Sequence, residues 1–235
     1  MAQSEKLPPA RDVLVAWNRL PGCVERFESR HPGTDWVLSP TAVAGRSTDG
    51  STASFAIPLP PLADLTMPGL RAHLRRQTSI GIVLVRRGGF AVAKVVGGTV
   101  VESKVGQRHV QGRSKAGGWS QQRFARRRGN QAQAAFDAAS GYVESILAPH
   151  AAELELLVCG GDRSAVDTVL DAPGVAALTR LPRQWLAGLP DPRRRVLDDA
   201  VARAQSVEIS IVDTAPRRQG SDPTSGTSGM ERPGK

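Results

Sequence analysis

Apolar and polar positions change period several times along the 235-residue chain, and each change marks an element. Residues 12–17, DVLVAW, read as a short strand, and Leu20–Arg30 as a short helix turning Val24 and Phe27 inward. Trp36–Ala44 and Ser51–Ile57 read as two strands around a turn over Arg46–Gly50, where Asp49-Gly50 supplies the turn chemistry. The run IPLPPL, 57–62, holds three prolines, which neither continue a strand nor start a long helix, so a linker is expected there. Residues 1–62 are thus expected to form a small α+β N-terminal unit with its linker.

Beyond the linker, 63–76 reads as a helix interrupted at Met67-Pro68-Gly69. Ile80–Val85 is rich in β-branched residues and reads as a strand. Gly88-Gly89 turns it into Phe90–Val96, and Gly97-Gly98 turns that into Thr99–Arg108, a three-stranded antiparallel meander. A long loop, His109–Trp119, follows, and a helix starts near Ser120. Apolar residues at 132, 135, 136, 139, 143, 146 and 147 give that helix one buried stripe, and Pro149 ends it. Glu153–Cys159 reads as a strand and Gly160-Gly161-Asp162 as a turn into a helix with Asp162 as N-cap. Helix N-termini favour anions, but with no Walker lysine or GxGxxG context this turn reads as a plain strand–helix corner. Residues 173–190 are punctuated by proline and show no clear period. Pro192–Gln205 reads as a helix and Val207–Val212 as a closing strand. From Thr214 to Lys235 almost nothing is apolar, and a disordered tail, 214–235, is expected. Three antiparallel strands followed by helix, strand, helix, strand is the order of an RNase H-like mixed α/β sheet, expected over 63–213.

Composition narrows the function. Hydrophobic residues make up 40% of the chain, enough for a packed core. Thirty-one basic residues against 22 acidic ones give a net charge of +9, and a pI near 10.7 points to a polyanionic partner. Cys23 and Cys159 lie far apart and read as small buried hydrophobes, and His31, His73, His109 and His150 show no ligand spacing, so neither disulfide nor metal nor cofactor is expected. The opening MAQSEKLPPA has no apolar signal region and no stretch approaches a membrane span of roughly 18 apolar residues. A cytoplasmic protein is expected.

The charge is concentrated. Between Glu102 and Asp137 no acidic residue occurs, whereas Lys104, Arg108, Arg113, Lys115, Arg123, Arg126, Arg127 and Arg128 all fall there. Cations in the first turns of a helix oppose its macrodipole, an arrangement that makes sense against phosphates. RNA contact is therefore expected along this interval. Its centre reads QGRSKAGGWSQQRFARRR, 111–128. Gly117-Gly118 lets the backbone adopt positive φ and pass close to a ligand. Gln121 and Gln122 hydrogen-bond without titrating, so neither is a strong base, but either could orient a water and steady developing charge. Trp119 could stack on an exposed nucleobase.

Gly117-Gly118 followed by Arg123-Phe124-Ala125-Arg126 resembles the GGQ loop and following helix of the class 1 release factors of eukaryotes and archaea, where GGQ, three residues and RFAR succeed one another. The strands before it, Ile82–Val110, resemble the middle domain of those factors. Here Trp119 stands where that family has its glutamine. Vms-type release factors of ribosome quality control carry the glutamine in a GxSQ arrangement, which Gly118-Trp119-Ser120-Gln121 matches, and GGWSQQRFARRR looks most like the actinobacterial members of that branch, which are peptidyl-tRNA hydrolases. The resemblance covers roughly 70–213 and is sharp over 104–130. It implies that Gln121 is catalytic, with Gln122 the competing candidate, and that the partners are the large ribosomal subunit, its rRNA and peptidyl-tRNA. The first 60 residues do not look like a stop-codon-reading domain, so a peptidyl-tRNA stranded on a large subunit fits best.

Two rival chemistries fit less well. A metal-dependent nuclease on an RNase H-like sheet needs several strand carboxylates, and strands 80–108 offer Glu102 alone. A serine hydrolase needs a positioned histidine and carboxylate, and Ser120 has none nearby in sequence. A ribosome- or tRNA-binding factor that fills the A site without hydrolysis accounts for the basicity and the glycine loop equally well. The glutamine alone separates it from the enzyme.

Overall fold

The computed structural model describes residues 9–107 and 119–214, apart from the side chains of 119–132. The described residues build two five-stranded sheets. The first begins with β1 (Arg11–Ala16), from which a 3-10 turn leads into helix α1 (Leu20–Arg30). Leu20, Val24 and Phe27 of α1, spaced at four and three residues, are buried. The expected strand 36–44 is two strands, β2 (Asp35–Leu38) and β3 (Ala42–Arg46). Pro40 sits in the turn between them, where Ser39 N–H donates to the Ala42 carbonyl at 2.9 Å and Ala42 N–H donates to Ser39 Oγ at 2.9 Å. β4 (Thr52–Ala56) pairs with β3 across the 46–50 turn.

Pro58, Pro60 and Pro61 form no strand, in line with their missing N–H groups. The flanking Ile57 and Leu62 are nevertheless buried against the first sheet. Met67-Pro68 does not interrupt a helix but starts one: α2 spans Met67–Arg75, Thr66 Oγ1 caps it by accepting from Gly69 N–H at 3.1 Å, and proline suits the first turn because no N–H is needed there. Leu70 of α2 joins the same core.

The second sheet holds β5 (Ser79–Arg86), β6 (Gly89–Val96), β7 (Thr99–Gln107), β8 (Leu156–Gly161) and β9 (Arg183–Leu186) in the order β7-β6-β5-β8-β9. β5, β6 and β7 form the antiparallel meander, and β8 and β9 continue it in parallel with β5. This is the RNase H-like mixed sheet. Its central strands β5, β6 and β8 run apolar almost throughout because both faces are covered, whereas the edge strands β7 and β9 carry polar residues. Val83, Val85, Phe90, Leu157 and Cys159 face helices α3 (Trp119–Ile146) and α4 (Arg163–Leu170), while Ile80, Ile82, Leu84 and Val158 face α5 (Arg194–Ala204). A 3-10 helix, Pro173–Arg180, bridges α4 to β9.

One expectation is corrected here. The strand over 207–212 exists as β10 (Ser206–Val212), but it closes the first sheet, antiparallel to β1 and β4, and the second sheet's last strand is β9. Ser206, Glu208 and Ser210 alternate with Val207, Ile209 and Ile211, a pattern for a sheet with one face in water, not one covered twice. The stretch 63–213 thus lends α2 and β10 to the first sheet. A smaller correction concerns Cys23, which is half-buried, whereas Cys159 is buried as expected.

Candidate functional site

The site is built where β7 hands over to α3. Register pairs Arg86 with Gly89 and Gly89 with Gln107, and places Gly161 beside Val85. β7 therefore ends at the sheet end at which the parallel strands β5 and β8 terminate, the end at which open α/β sheets bind ligands. Gly117 and Gly118, with Arg108, Arg113 and Lys115, lie outside the described residues. The chain returns as helix at Trp119, one residue before the expected start, so Gln121 and Gln122 occupy the first turn and Arg123, Arg126, Arg127 and Arg128 the next ones.

The second half of α3 is seated on the sheet. Ala135, Ala139, Val143, Ile146 and Leu147 are buried and Phe136 and Tyr142 pack beside them, while Ser140 Oγ donates to the Phe136 carbonyl at 3.1 Å and to the Val169 carbonyl of α4 at 3.3 Å. At 1.5 Å per residue the 28-residue helix is about 42 Å long. Position 121 precedes Ala139 by about five turns of ideal helix and so falls on the line that faces the sheet further along, whereas position 122 is rotated by about 100° from it.

Of the sequence-predicted RNA-binding residues, Lys104 has a described side chain. It projects from β7 toward α3, with Nζ 5.1 Å from the centroid of the Tyr142 ring, and Tyr142 in turn stacks on Phe90 at 5.7 Å. This cation–π contact holds an exposed ammonium at the flank of the helix that carries the arginines. Sequence reasoning missed the Phe90–Tyr142 platform, and the signal available was the chain's one tyrosine falling in the α3 stripe.

The Gly160-Gly161-Asp162 turn lies at the same sheet end. Gly161 has φ +102, and a Cβ there would collide with the Val85 carbonyl, so glycine is required. Asp162 occupies the N-cap position of α4 without a side-chain cap bond. Its carboxylate and that of Asp191 each lie 3.7 Å from Arg86 Nε. Two carboxylates at this corner leave it unsuited to a phosphate. Among the described residues no group of three or more His, Cys, Asp or Glu could hold a metal.

The described residues thus form an RNase H-like mixed sheet whose third strand precedes a basic, glycine-containing segment and a long helix. A profile of the actinobacterial and chloroflexi VLRF1 release factors matches residues 78–210, more than half of the chain and the whole of this assembly, and the chain belongs to that family. Among solved structures it is similar to the mitochondrial localization core of Vms1, at 11% identity and a TM-score of 0.46 over 71% of this chain and 75% of that one. It is also similar to the archaeal translation termination factor aRF1, at 14% identity and a TM-score of 0.33 over 68% of this chain and 50% of that one. No curated protein matches it. The family makes the chain a Vms-type release factor, a ribosome-associated translation factor related to the class 1 factors. No described helix is long and apolar enough to cross a membrane.

Proposed function

We propose that the chain is a cytoplasmic peptidyl-tRNA hydrolase that enters the A site of the large ribosomal subunit and releases stalled nascent chains. The observation that carries this reading is the family match over 78–210, because it runs through the Gly117-Gly118 segment and the helix that begins with Gln121 in its first turn. In the reaction a water oxygen attacks the carbonyl carbon of the ester joining peptide to tRNA, the acyl–oxygen bond breaks, and the terminal tRNA oxygen leaves with a proton. The Gln121 amide orients the water and donates to the oxyanion, and Gly117-Gly118 allow the backbone to approach the ester without a Cβ in the way. Arg123 and Arg126–Arg128, with Arg108, Arg113, Lys104 and Lys115, hold rRNA and tRNA phosphates, and Trp119 stacks on a base. No metal or cofactor enters the scheme.

One observation favours a second reading, a binding factor without hydrolysis: Trp119 stands where the class 1 factors carry their glutamine. Incubating the purified chain with large subunits bearing peptidyl-tRNA decides between them. Free peptide and free tRNA are expected. Saturating binding with an intact ester would leave the binding factor.

A further inference from the structure

The two layers of the first sheet are unequal. Its inner face presents cross-strand rows: Val13 beside Ile209 beside Phe55, and Arg11 beside Ile211 beside Ala53. Helix α1 lies across part of this face and α2 covers more of it, but between α1 and the edge strand β1 an open groove of about 1150 Å3 remains. Val13, Val15, Ile211 and Cys23, which line it, are only half-buried. In a finished two-layer unit such positions are covered by a second helix. β1 has six residues, so the floor runs about 20 Å, the length of three to four helical turns.

The wall of the groove is basic. Arg19, at the N-cap of α1, and Cys23, Arg26 and Arg30 within it recur at four, three and four residues and form one line beside the opening, and Arg11 stands at the far end of the floor. The acidic residue among the lining groups is Asp213, which faces Arg30 at 3.7 Å. Arg26 spends a donor on Cys23 Sγ at 3.1 Å, and Arg11, Arg19 and Arg26 have no carboxylate partner among the described residues. An apolar floor flanked by a line of arginines is complementary to a helix with an apolar stripe and acidic neighbours.

The chain's own ends do not fit: residues 1–8, MAQSEKLP, are too few for three to four helical turns and carry one acidic residue against one basic. Residues 215–235 contain Pro216, Pro223 and Pro233, have Ala215 and Met230 as their only apolar members, and carry more basic than acidic residues. Such a segment cannot make an amphipathic helix and has the wrong sign. RNA would meet the arginines, but the floor at Val13, Val15 and Ile211 is aliphatic, and of the rings that line the groove Phe27 and Phe55 are buried, while Trp36 packs edge-on against Phe27 and donates its Nε1–H to Glu28 Oε1 at 2.9 Å.

We propose that this groove docks an acidic amphipathic helix of a partner protein, its apolar stripe on Val13, Val15 and Ile211 and its carboxylates on Arg19, Arg26 and Arg30. The surface lies on the first sheet, apart from the residues assigned to hydrolysis, and does not depend on that assignment. The probes are two fluorescent 18-residue helical peptides with the same leucine stripe, flanked by glutamate in one and lysine in the other, and an 18-nucleotide single-stranded RNA. Each is titrated against the full chain by anisotropy. The acidic peptide should bind, and Arg19→Glu with Arg26→Glu should weaken it at least tenfold while admitting the lysine peptide. Both arginines are exposed, so the variant should keep its circular dichroism spectrum. Bound peptide should also slow alkylation of Cys23 by iodoacetamide; Cys159, at 2% exposure, serves as the unreactive internal reference. Failure of the acidic peptide to bind, equal binding of both peptides, RNA displacing the acidic peptide from the parent, or binding that leaves Cys23 as reactive as before would each overturn the proposal.

Discussion

The anchoring of α3 can be tested through a single pair of residues. Leu147, the residue that follows α3, is fully buried where the helix end meets β5, and it rests over Gly81: a Cβ built on Gly81 would lie 3.2 Å from Leu147 Cδ1 and 3.0 Å from Leu157 Cδ1. Leu147→Ala opens a cavity above a residue with no side chain to collapse into it, which places its cost in the upper part of the usual range, about 3–5 kcal/mol. Gly81→Ala alone overpacks the same spot and should cost about 1–3 kcal/mol. Combined, the alanine methyl at 81 enters the space vacated at 147, so the double variant should be less destabilised than the sum by about 1 kcal/mol or more. Urea unfolding followed by circular dichroism reads all four corners of the cycle. With a slope near 2 kcal/mol per molar, Leu147→Ala alone should lower the midpoint by roughly 1.5–2.5 M. A loss below about 1 kcal/mol for Leu147→Ala, or strict additivity in the double variant, would show that α3 is not seated on β5 as described.

Other consequences can be checked independently. His31 Nδ1 donates to Asp49 Oδ2 at 2.8 Å, and this bond, with the Ser51 N–H, lowers the Asp49 carboxyl from 3.8 to about 2. A depressed carboxyl stabilises above its unfolded value and loses the effect as pH falls through the folded one, so the parent should exceed Asp49→Asn in stability from about pH 4 to 6, and the gap should close toward about pH 2. A gap that persists unchanged at pH 2 would refute the linkage. The Lys94 ammonium, 3.1 Å from Glu153 Oε2, and then His150 hold the Glu153 carboxyl below its ordinary value. A carboxyl titration by NMR should therefore move back up in Lys94→Met. Replacing Arg126, Arg127 and Arg128 with alanine should weaken ribosome binding and reduce the log–log salt slope by about one unit or less for each phosphate no longer neutralised, with the helix retained because alanine favours it. Identical binding at every salt concentration would mean that the arginines are merely solvated.

Where local chemistry decides an element, the sequence is enough. Helix α1 begins and ends at the expected residues because its 20, 24, 27 spacing and the Pro21 start are local facts, and the meander follows from Gly88-Gly89 and Gly97-Gly98. The run QGRSKAGGWSQQRFARRR carries the family resemblance by itself, and the family match agrees with it. Where partners decide, sequence is not enough. β9 is four residues, RQWL, held by parallel pairing to β8, with no period of its own. β10 is legible as a strand but not as a member of the first sheet, since its choice of β1 as neighbour spans nearly the whole chain. The clue lies in its strict alternation, against the unbroken apolar run of Leu156–Cys159. The groove beside α1 leaves no trace in the sequence, because it depends on what α1 fails to cover.

The central claim is that a neutral amide at one helical position breaks the ester. It is tested most directly by measuring single-turnover peptide release from large subunits carrying peptidyl-tRNA with the parent, Gln121→Ala and Gln122→Ala. Removing one donor from a preorganised site typically costs about 2.7–4 kcal/mol, so Gln121→Ala should release peptide roughly 100- to 1000-fold more slowly, while sedimenting with the subunit as the parent does. Gln122→Ala, about 100° away around α3, should lose far less. A dead Gln122→Ala beside an active Gln121→Ala would shift the assignment by one residue, and full release by both variants would remove glutamine from the reaction.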